Sequence, residues 1–433
     1  MKESDYNILL ETDGKKMVFN AMTCAFAEVD DSFFDALSKV REGEAIADQE
    51  LLENMKYGGI IIDDNLDEKQ YLKLRSYQSK FSSIGFGLTI APTLACNFAC
   101  PYCYEEAKPG FMSEELQDKL IEMVSDAAKQ KKNIYTTWYG GEPMLAFDSI
   151  IRPMSERIIA ICKENGVEYS TFMITNGYLV TEDVIEHLKE CEIKGMQITI
   201  DGPADIHDSR RVLKGNGRGS FEVIMENVRA LIKAGIHPDI RVNVDKTNKD
   251  RLPELIAIFK ENGFEKCSIS FGHVNAYTEA CANIDGTCLN IQEYAMETID
   301  YQKMLFDNGF AGANEYPLYP GVKGNYCCAD SAGSYVVDPE GYLYKCWNDV
   351  GQTERSVGSV SDLNTASDLQ QRVQADYLLW SPFDHQKCVE CEILPICMGG
   401  CPYNGMWHKG EPECEKWKYN MTETLQFVYD NRE

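Results

Sequence analysis

Three cysteines crowded into one short stretch, Cys96, Cys100 and Cys103, are the residues best placed to do chemistry. Their spacing, Cys-x3-Cys-x2-Cys, puts three thiolates on a single loop. Three thiolates can hold three irons of a [4Fe–4S] cubane, whose usual complement is four. The fourth iron is then open to a substrate, which is the logic of a catalytic metal site rather than a structural one. Zinc would ask for a fourth protein ligand nearby, and no His lies in this loop.

The chain holds 17 cysteines in all. Eight fall late: Cys327 and Cys328, then Cys346, then Cys388-x2-Cys391-x5-Cys397-x3-Cys401, and Cys414. Six are scattered: Cys24, Cys162, Cys191, Cys267, Cys281 and Cys288. Most of the scattered six sit in apolar patterns and read as small core hydrophobes, while Cys281 and Cys288 fall in a polar stretch. The N-terminus, MKESDYNILL, lacks the basic and apolar regions of a secretory signal. That predicts a cytoplasmic, reducing setting, where clustered cysteines mean metal or catalysis rather than disulfides. The late eight would fill two cubanes or two zinc sites.

These residues need elements to hold them. A length of 433 residues predicts about two or three domains. Residues 85–310 alternate strand and helix. Strand patterns fall at 86–91, 134–139, 171–175, 196–200, 240–244 and 268–272. Helix patterns fall at 113–129, 147–165, 182–190, 220–234, 251–262 and 291–307. Short strands rich in Ile, Val and Thr are buried parallel strands. Six such units predict an α/β fold, a partial (βα)6 TIM-like barrel with its site at the C-terminal strand ends. Residues 1–80 form a separate unit. Strands at 6–12 and 16–22 flank the turn Asp13-Gly14, helices follow at 32–41 and 48–56, and a late strand falls at 60–63. This order suggests a winged-helix-like module. Residues 311–433 have little periodicity and look pinned by metal.

The net charge of −27 disfavours nucleic acid and anionic membrane as partners. A peptide with basic character fits better, though acidity alone also keeps a protein soluble. No apolar run is long enough to cross a bilayer.

The three-cysteine loop, with Tyr102 just before its last Cys, resembles the radical SAM superfamily. Further motifs sit at successive strand ends: Gly140-Gly141-Glu142-Pro143, Thr175-Asn176-Gly177, Asp201-Gly202, and the segment IHDSRRVLKGNGRGSF at 206–221. The resemblance implies that Cys96, Cys100 and Cys103 bind a [4Fe–4S] cluster. It implies that Gly140, Gly141, Glu142, Pro143, Thr175, Asn176 and Asp201 line the S-adenosylmethionine (SAM) site. The Gly140–Pro143 segment would take the SAM amino group, and Tyr102 would contact the adenine through its backbone. SAM would chelate the open iron, and its reductive cleavage would give a radical that takes hydrogen from an unactivated carbon. Such a cluster needs a donor like flavodoxin or ferredoxin, and an anaerobic cytoplasm.

The late pattern, Cys328-x12-Gly341-x4-Cys346 and onward to Cys414, resembles the SPASM extension of radical SAM enzymes that modify peptides. The resemblance implies two auxiliary [4Fe–4S] clusters. The first would use Cys328, Cys346 and Cys401, and the second Cys388, Cys391, Cys397 and Cys414. Some relatives carry an extra upstream Cys, but this sequence has Tyr319-Pro320-Gly321-Val322 there. Either Cys327 completes the first auxiliary cluster or one iron stays open for a substrate thiolate.

The expected substrate is a ribosomally made precursor peptide, with residues 1–80 adding its leader as a strand to an exposed edge. The leading expectation is a thioether cross-link from a Cys sulfur to a carbon. Formylglycine formation of the sulfatase-maturase kind is a second reading. That group has an Asp directly after the second auxiliary cysteine, whereas here Trp347 follows Cys346. Carbon–carbon cross-linking and epimerisation stay open, as do an iron–sulfur electron carrier and a peptide-binding zinc protein. Asp349, Tyr326 and Trp347 are acid–base candidates by sequence proximity alone.

Overall fold

The structure, a computed structural model, describes residues 1–12, 14–215, 218–310, 321–362 and 365–431. Asp13 of the expected turn, Asn216 and Gly217 of the 206–221 segment, and Tyr319 and Pro320 lie outside the described residues. The chain divides into two compact units. One comprises Met1–Phe81, Pro317–Ala332 and Leu378–Glu433, and the other Ser82–Tyr316 and Gly333–Tyr377. The segment 311–433, expected as one domain, therefore contributes to both.

The first unit opens with strands β1 (Lys2–Glu3), β2 (Asn7–Thr12), β3 (Lys15–Asn20) and β4 (Ala25–Val29). Helices α1 (Asp31–Arg41) and α2 (Gln49–Tyr57), strand β5 (Ile61–Ile62) and helix α3 (Glu68–Lys80) follow. Strands β2, β3 and β4 form an antiparallel sheet in that order, and β1 pairs with β5. Asp30, Asp48 and Asp67 begin the three helices by accepting a hydrogen bond from a backbone N–H three residues on. Alternation along β3 sends Val18 towards Phe33, Leu37 and Met55. It sends Met17 and Phe19 into a second cluster with Leu72, Ile393, Ile396 and Leu425. Strand β4 and helix α3 were not expected. Strand β4 is five residues of half-exposed edge. Helix α3 leaves Tyr71, Leu74 and Tyr77 exposed, so its apolar residues do not follow one buried face.

The second unit is built on a nine-stranded sheet. Its parallel run is β6 (Gly85–Ile90), β7 (Asn133–Trp138), β8 (Glu168–Thr175), β9 (Gly195–Thr199), β10 (Asp239–Val244) and β11 (Ser268–His273). The six lie side by side in chain order. All six expected strands are found, with bounds shifted by one to three residues. On the far side of β6 the sheet continues with β12 (Ser334–Val337), parallel to β6, then β13 (Tyr342–Tyr344) and β14 (Gly358–Ser359), both antiparallel.

Sequential order with right-handed crossovers puts the connecting helices on one face of β6–β11. The helices are α4 (Glu114–Ala128), α5 (Arg152–Asn165), α6 (Ile185–Glu190), α7 (Ala204–Arg210), α8 (Phe221–Lys233), α9 (Leu252–Glu261) and α10 (Ile291–Asp307). Only α7 had gone unexpected. Ile134, Trp138, Met173, Ile198, Ile240 and Val242 are fully buried on the helix side. Each contributes roughly 1.5–3 kcal/mol of burial, which is what holds the strand ends in place. Cys162, Cys191, Cys267 and Cys281 are buried, the first three as the expected core hydrophobes, while Cys24 and Cys288 are half-buried. Among the described residues, no helix is long and apolar enough to cross a membrane.

Candidate functional site

The site lies where β6–β10 end. After β6 the chain runs through Thr93 into the three-cysteine loop. Thr93 Oγ1 donates to Gly110 O at 2.6 Å and accepts from Ala95 N at 3.0 Å. The Gly140–Pro143 segment then hydrogen-bonds directly to this loop, Gly141 N to Thr93 O at 3.2 Å and Glu142 N to Ala95 O at 2.9 Å. Gly140 has φ +104°, and a Cβ there would come 2.5 Å from Thr93 O. A Cβ on Gly141 would overlap the Ala95 and Leu94 carbonyl oxygens. The two glycines are therefore required by a close approach of backbone to backbone. From the other side, Ala99 N donates to Val212 O and Lys214 N to Asn97 O, both at 2.8 Å.

Glu142 is fully buried. Its Oε1 accepts from Thr175 Oγ1 at 2.6 Å and Met144 N at 3.0 Å, and its Oε2 accepts from Asn176 N at 2.7 Å. Burial raises its pKa against these bonds. Glu142 thus ties the end of β7 to the end of β8. Asn176 passes the connection on, donating to Asn97 Oδ1 inside the cysteine loop at 2.7 Å.

A charged network occupies the β9–β10 end. Asp201, fully buried, accepts from the Tyr102 hydroxyl and from Asn243 N at 3.0 Å. Arg211 Nη1 donates to the same Tyr102 hydroxyl at 2.7 Å, and the Arg210 guanidinium lies 5.0 Å from the Tyr102 ring centre. Arg210 is also committed to Asp245 at 2.7 Å and Thr247 at 2.6 Å. Tyr102 therefore has a side-chain role beyond the backbone contact expected of it. Burial drives its pKa well up, with Arg211 opposing. His207, fully buried, accepts from Asp201 N through Nδ1 at 3.3 Å and meets Ser220 Oγ at Nε2 at 3.2 Å. Burial, then Arg211 and Arg210, hold its pKa well below the usual range, so it is neutral.

Burial holds all three thiols towards their neutral form. Burial pushes Cys96 up to about 11 and Cys103, beside Glu105, up to about 12. Burial also raises Cys100, against Arg211 and Arg210. Arg211 Nε is buried without a hydrogen-bond partner. A free guanidinium N–H beside a cysteine loop fits an anionic group held on those thiolates. Next to the loop, Tyr104 and Tyr139 join hydroxyl to hydroxyl at 2.9 Å, and Trp347 packs on Tyr139 with ring centres 4.8 Å apart. Glu105 is pushed up to about 7 by burial.

The late cysteines are distributed between the units. Burial raises Cys388 to about 11, with the nearby Cys391 and Cys414 adding to the rise. Cys397 sits in the core cluster that Cys388 and Cys391 pack against. Cys327 is hydrogen-bonded to Cys328, with its N–H and that of Tyr326 donating to Asp330. Cys346 belongs to the sheet-bearing unit. Among the described residues, no three Cys, His, Asp or Glu side chains meet at the spacing of a single ion.

The acid–base candidates do not form one group. Asp349 is fully buried, bonded to Tyr377 at 2.6 Å and Arg355 at 3.2 Å, and burial lifts it to about 6. These bonds make it a structural anchor rather than a base open to substrate. Tyr326 belongs to the other unit and donates to Glu415. Sequence reasoning missed Arg210, Arg211, His207 and Asn243. The 206–221 segment stands out in the sequence only as a block, and nothing local to it shows that Arg210 and Arg211 both turn inward.

Comparison with known proteins agrees with this geometry. The Radical SAM superfamily description matches residues 90–259. The chain is 24% identical over 336 residues to a cysteine-type anaerobic sulfatase-maturating enzyme of Clostridium novyi, covering 71% of this chain and 85% of that one. A solved structure of anSMEcpe with bound AdoMet and the Kp18Cys peptide superposes with TM-score 0.64 at 19% identity, covering 80% and 99% of the two chains. Streptococcus suis SuiB bound to the precursor peptide SuiA superposes with TM-score 0.51 at 15% identity, covering 96% and 98%. The two structures share the fold. With the cysteine loop, its glycine seat and the family match all falling in one stretch, residues 90–259 of this chain are a radical SAM domain.

Proposed function

We propose that this chain is a radical SAM maturase that installs a thioether cross-link in a ribosomally made precursor peptide. The observation that carries the reading is Arg211, whose buried Nε has no hydrogen-bond partner and whose Nη1 donates to Tyr102 of the cysteine loop. Cys96, Cys100 and Cys103 would hold the SAM-binding [4Fe–4S] cluster. When bound, SAM and the cluster would supply a one-electron oxidant able to take hydrogen from an unactivated carbon.

This chain's own residues orient and insulate that chemistry. Gly140 and Gly141 let the loop lie against β7, and Glu142 fixes the ends of β7 and β8. Tyr102, Asp201 and Arg210 hold Arg211 in position. The helix-free face of β6–β11, curled into a partial barrel, would exclude water from the reacting carbon.

Peptide recognition would fall to the first unit. The order β2-β3-β4 puts β4 at one edge of the three-stranded sheet, where a peptide would add as a further strand. Residues 1–80 would be the winged-helix-like leader module, 85–310 the radical SAM barrel and 311–433 the SPASM portion. Its two auxiliary clusters would use Cys328, Cys346 and Cys401, with or without Cys327, and Cys388, Cys391, Cys397 and Cys414. Formylglycine formation is disfavoured because Trp347 follows Cys346 directly and the acid nearest it in sequence, Asp349, is bonded to Tyr377 and Arg355.

The test is anaerobic reconstitution with dithionite and SAM, quantifying 5′-deoxyadenosine, beside a Cys96/Cys100/Cys103→Ala variant. Wild type should form it and the variant should not. Co-expression with Cys-containing precursors should give products lighter by two hydrogens per cross-link. Products that keep every hydrogen would sink the cross-linking reading. A fully iron-loaded wild type that makes no 5′-deoxyadenosine would sink the radical SAM one.

A further inference from the structure

The helix-free face of β10 and β11 carries a guanidinium that the network above does not use. Along β10 the buried residues are Ile240, Val242 and Val244, which pack on the helix side. Asp239, Arg241 and Asn243 therefore share the opposite face. The register sets Arg241 beside Ser270 and Asn243 beside Gly272. Arg241 Nε donates to Asn243 Oδ1 at 3.3 Å, which draws the side chain towards the C-terminal strand end. A Cβ on Gly272 would overlap Nε, Nη2 and Cζ of Arg241. The guanidinium thus lies flat on Gly272, in room that no other residue would leave.

Among the described residues, Nη1 and Nη2 of Arg241 have neither a hydrogen bond nor an ion pair. Asp239 shares the face, but its Oδ2 accepts from Ser270 Oγ at 3.1 Å and it makes no ion pair with Arg241. Asn243 joins Arg241 to the cofactor end. Its N–H donates to Asp201 and its carbonyl accepts from Arg210 at 3.0 Å. Arg241 is thus one strand position from the SAM-site network and is left out of it. A half-buried guanidinium with two free edges matches a planar carboxylate, which it can grip through two parallel bonds.

We infer that Arg241, seated on Gly272, binds a carboxylate of a ligand on the helix-free face of the sheet. This rests on the proposed function, which brings two carboxylate sources there: an Asp or Glu of the peptide, and the methionyl group of SAM. Arg211 already stands beside Cys100, so the peptide is the expected source and Arg241 a determinant of substrate choice.

The experiment uses reconstituted wild type, Arg241→Gln and Gly272→Ala. The last keeps the cation but takes away its seat. One arm compares affinities for SAM and decarboxylated SAM. The other selects binders from a pool of Cys-containing synthetic dodecapeptides in which each randomised position offers Glu or Gln. For a peptide carboxylate, wild type should enrich Glu over Gln at one position about tenfold. Both variants should lose that enrichment while keeping the wild-type SAM ratio. For a SAM carboxylate, both variants should instead bind the two cofactors alike, with peptide selection unchanged. If both variants keep both wild-type ratios, Arg241 binds no carboxylate and the inference falls. Wild-type formation of 5′-deoxyadenosine is measured alongside. Its absence would overturn the proposed function, whereas its presence with unaltered variants would overturn only the role of Arg241.

Discussion

Two cysteine-bearing loops are held in different balance: backbone bonds dominate at one, although its Tyr102 also meets Asp201 and Arg211, and a buried charge dominates at the other. The loop carrying Cys96, Cys100 and Cys103 is fastened largely through backbone bonds, from Gly141 and Glu142 on one side and, on the other, to Val212 and from Lys214. The loop carrying Cys327 and Cys328 is fastened by charge. Asp330 receives the N–H groups of Tyr326 and Cys327 and the Asn325 amide. Asp330 in turn faces Lys80 at 3.4 Å, and both are almost fully buried. The end of α3 closes over this loop, with Ser79 Oγ donating to Asn325 Oδ1 at 2.7 Å and Ala332 N to Lys80 O at 2.7 Å. A backbone seat tolerates many side chains but no added Cβ. A charged seat tolerates backbone adjustment but not the loss of one partner.

The largest effect should follow from breaking the charged seat. Lys80→Met leaves Asp330 buried and uncompensated, which costs about 3–5 kcal/mol. Denaturant unfolding monitored in the first unit should show that loss, and a change under 1 kcal/mol would mean the pair does not fix the loop. Next comes the backbone seat. Gly141→Ala pushes the cysteine loop off β7 and should lower 5′-deoxyadenosine formation about a hundredfold. Cluster content and unfolding midpoint measured beside it separate misplacement from collapse, and wild-type turnover would refute the close approach.

A third test sharpens the contrast through His207, the neutral buried group that braces Asp201. The unfolded chain takes up a proton near 6.5, whereas burial and the two guanidiniums keep the folded imidazole unprotonated to lower pH. The stability it contributes is therefore complete above about pH 6.5 and is lost as pH falls towards the folded value. The slope it adds is at most about 1.4 kcal/mol per pH unit. His207→Gln should flatten that part of the curve, and an unchanged slope would assign the titration elsewhere. The smallest effect should come from Ser79→Ala, about 1 kcal/mol for one hydrogen bond to the Cys327 loop, read from the same unfolding curves.

This contrast also explains what could be read in advance. The backbone seat needs glycines in a row directly after a strand, so Gly140-Gly141-Glu142-Pro143 was visible as a motif. The six parallel strands were visible because short runs rich in Ile, Val and Thr alternate with helical periods along residues 85–310. Lys80 and Asp330 are ordinary surface residue types far apart in sequence, and nothing local pairs them. Helix α3 was missed for a related reason: its Tyr71, Leu74 and Tyr77 are exposed, which blurs the helical period. Asp349 was named for its nearness to Cys346. Only tertiary structure shows that Tyr377 and Arg355 already hold it. Arg241 could not be told from any strand cation until the register put Gly272 beside Asn243.

The first unit is assembled from three separated stretches of chain, and this sets a timetable for its synthesis. Its core joins Tyr6, Met17 and Phe19 to Ile393, Ile396, Met421 and Leu425. The early strands must therefore wait for residues translated some 370 positions later. At about 5–20 residues per second, that is roughly 20–75 s on the ribosome with an apolar sheet face uncovered. The sheet-bearing unit, made in between, can close first. A nascent chain stalled after Tyr377 should thus hold a folded parallel sheet and an N-terminal segment still open to chaperones and proteases.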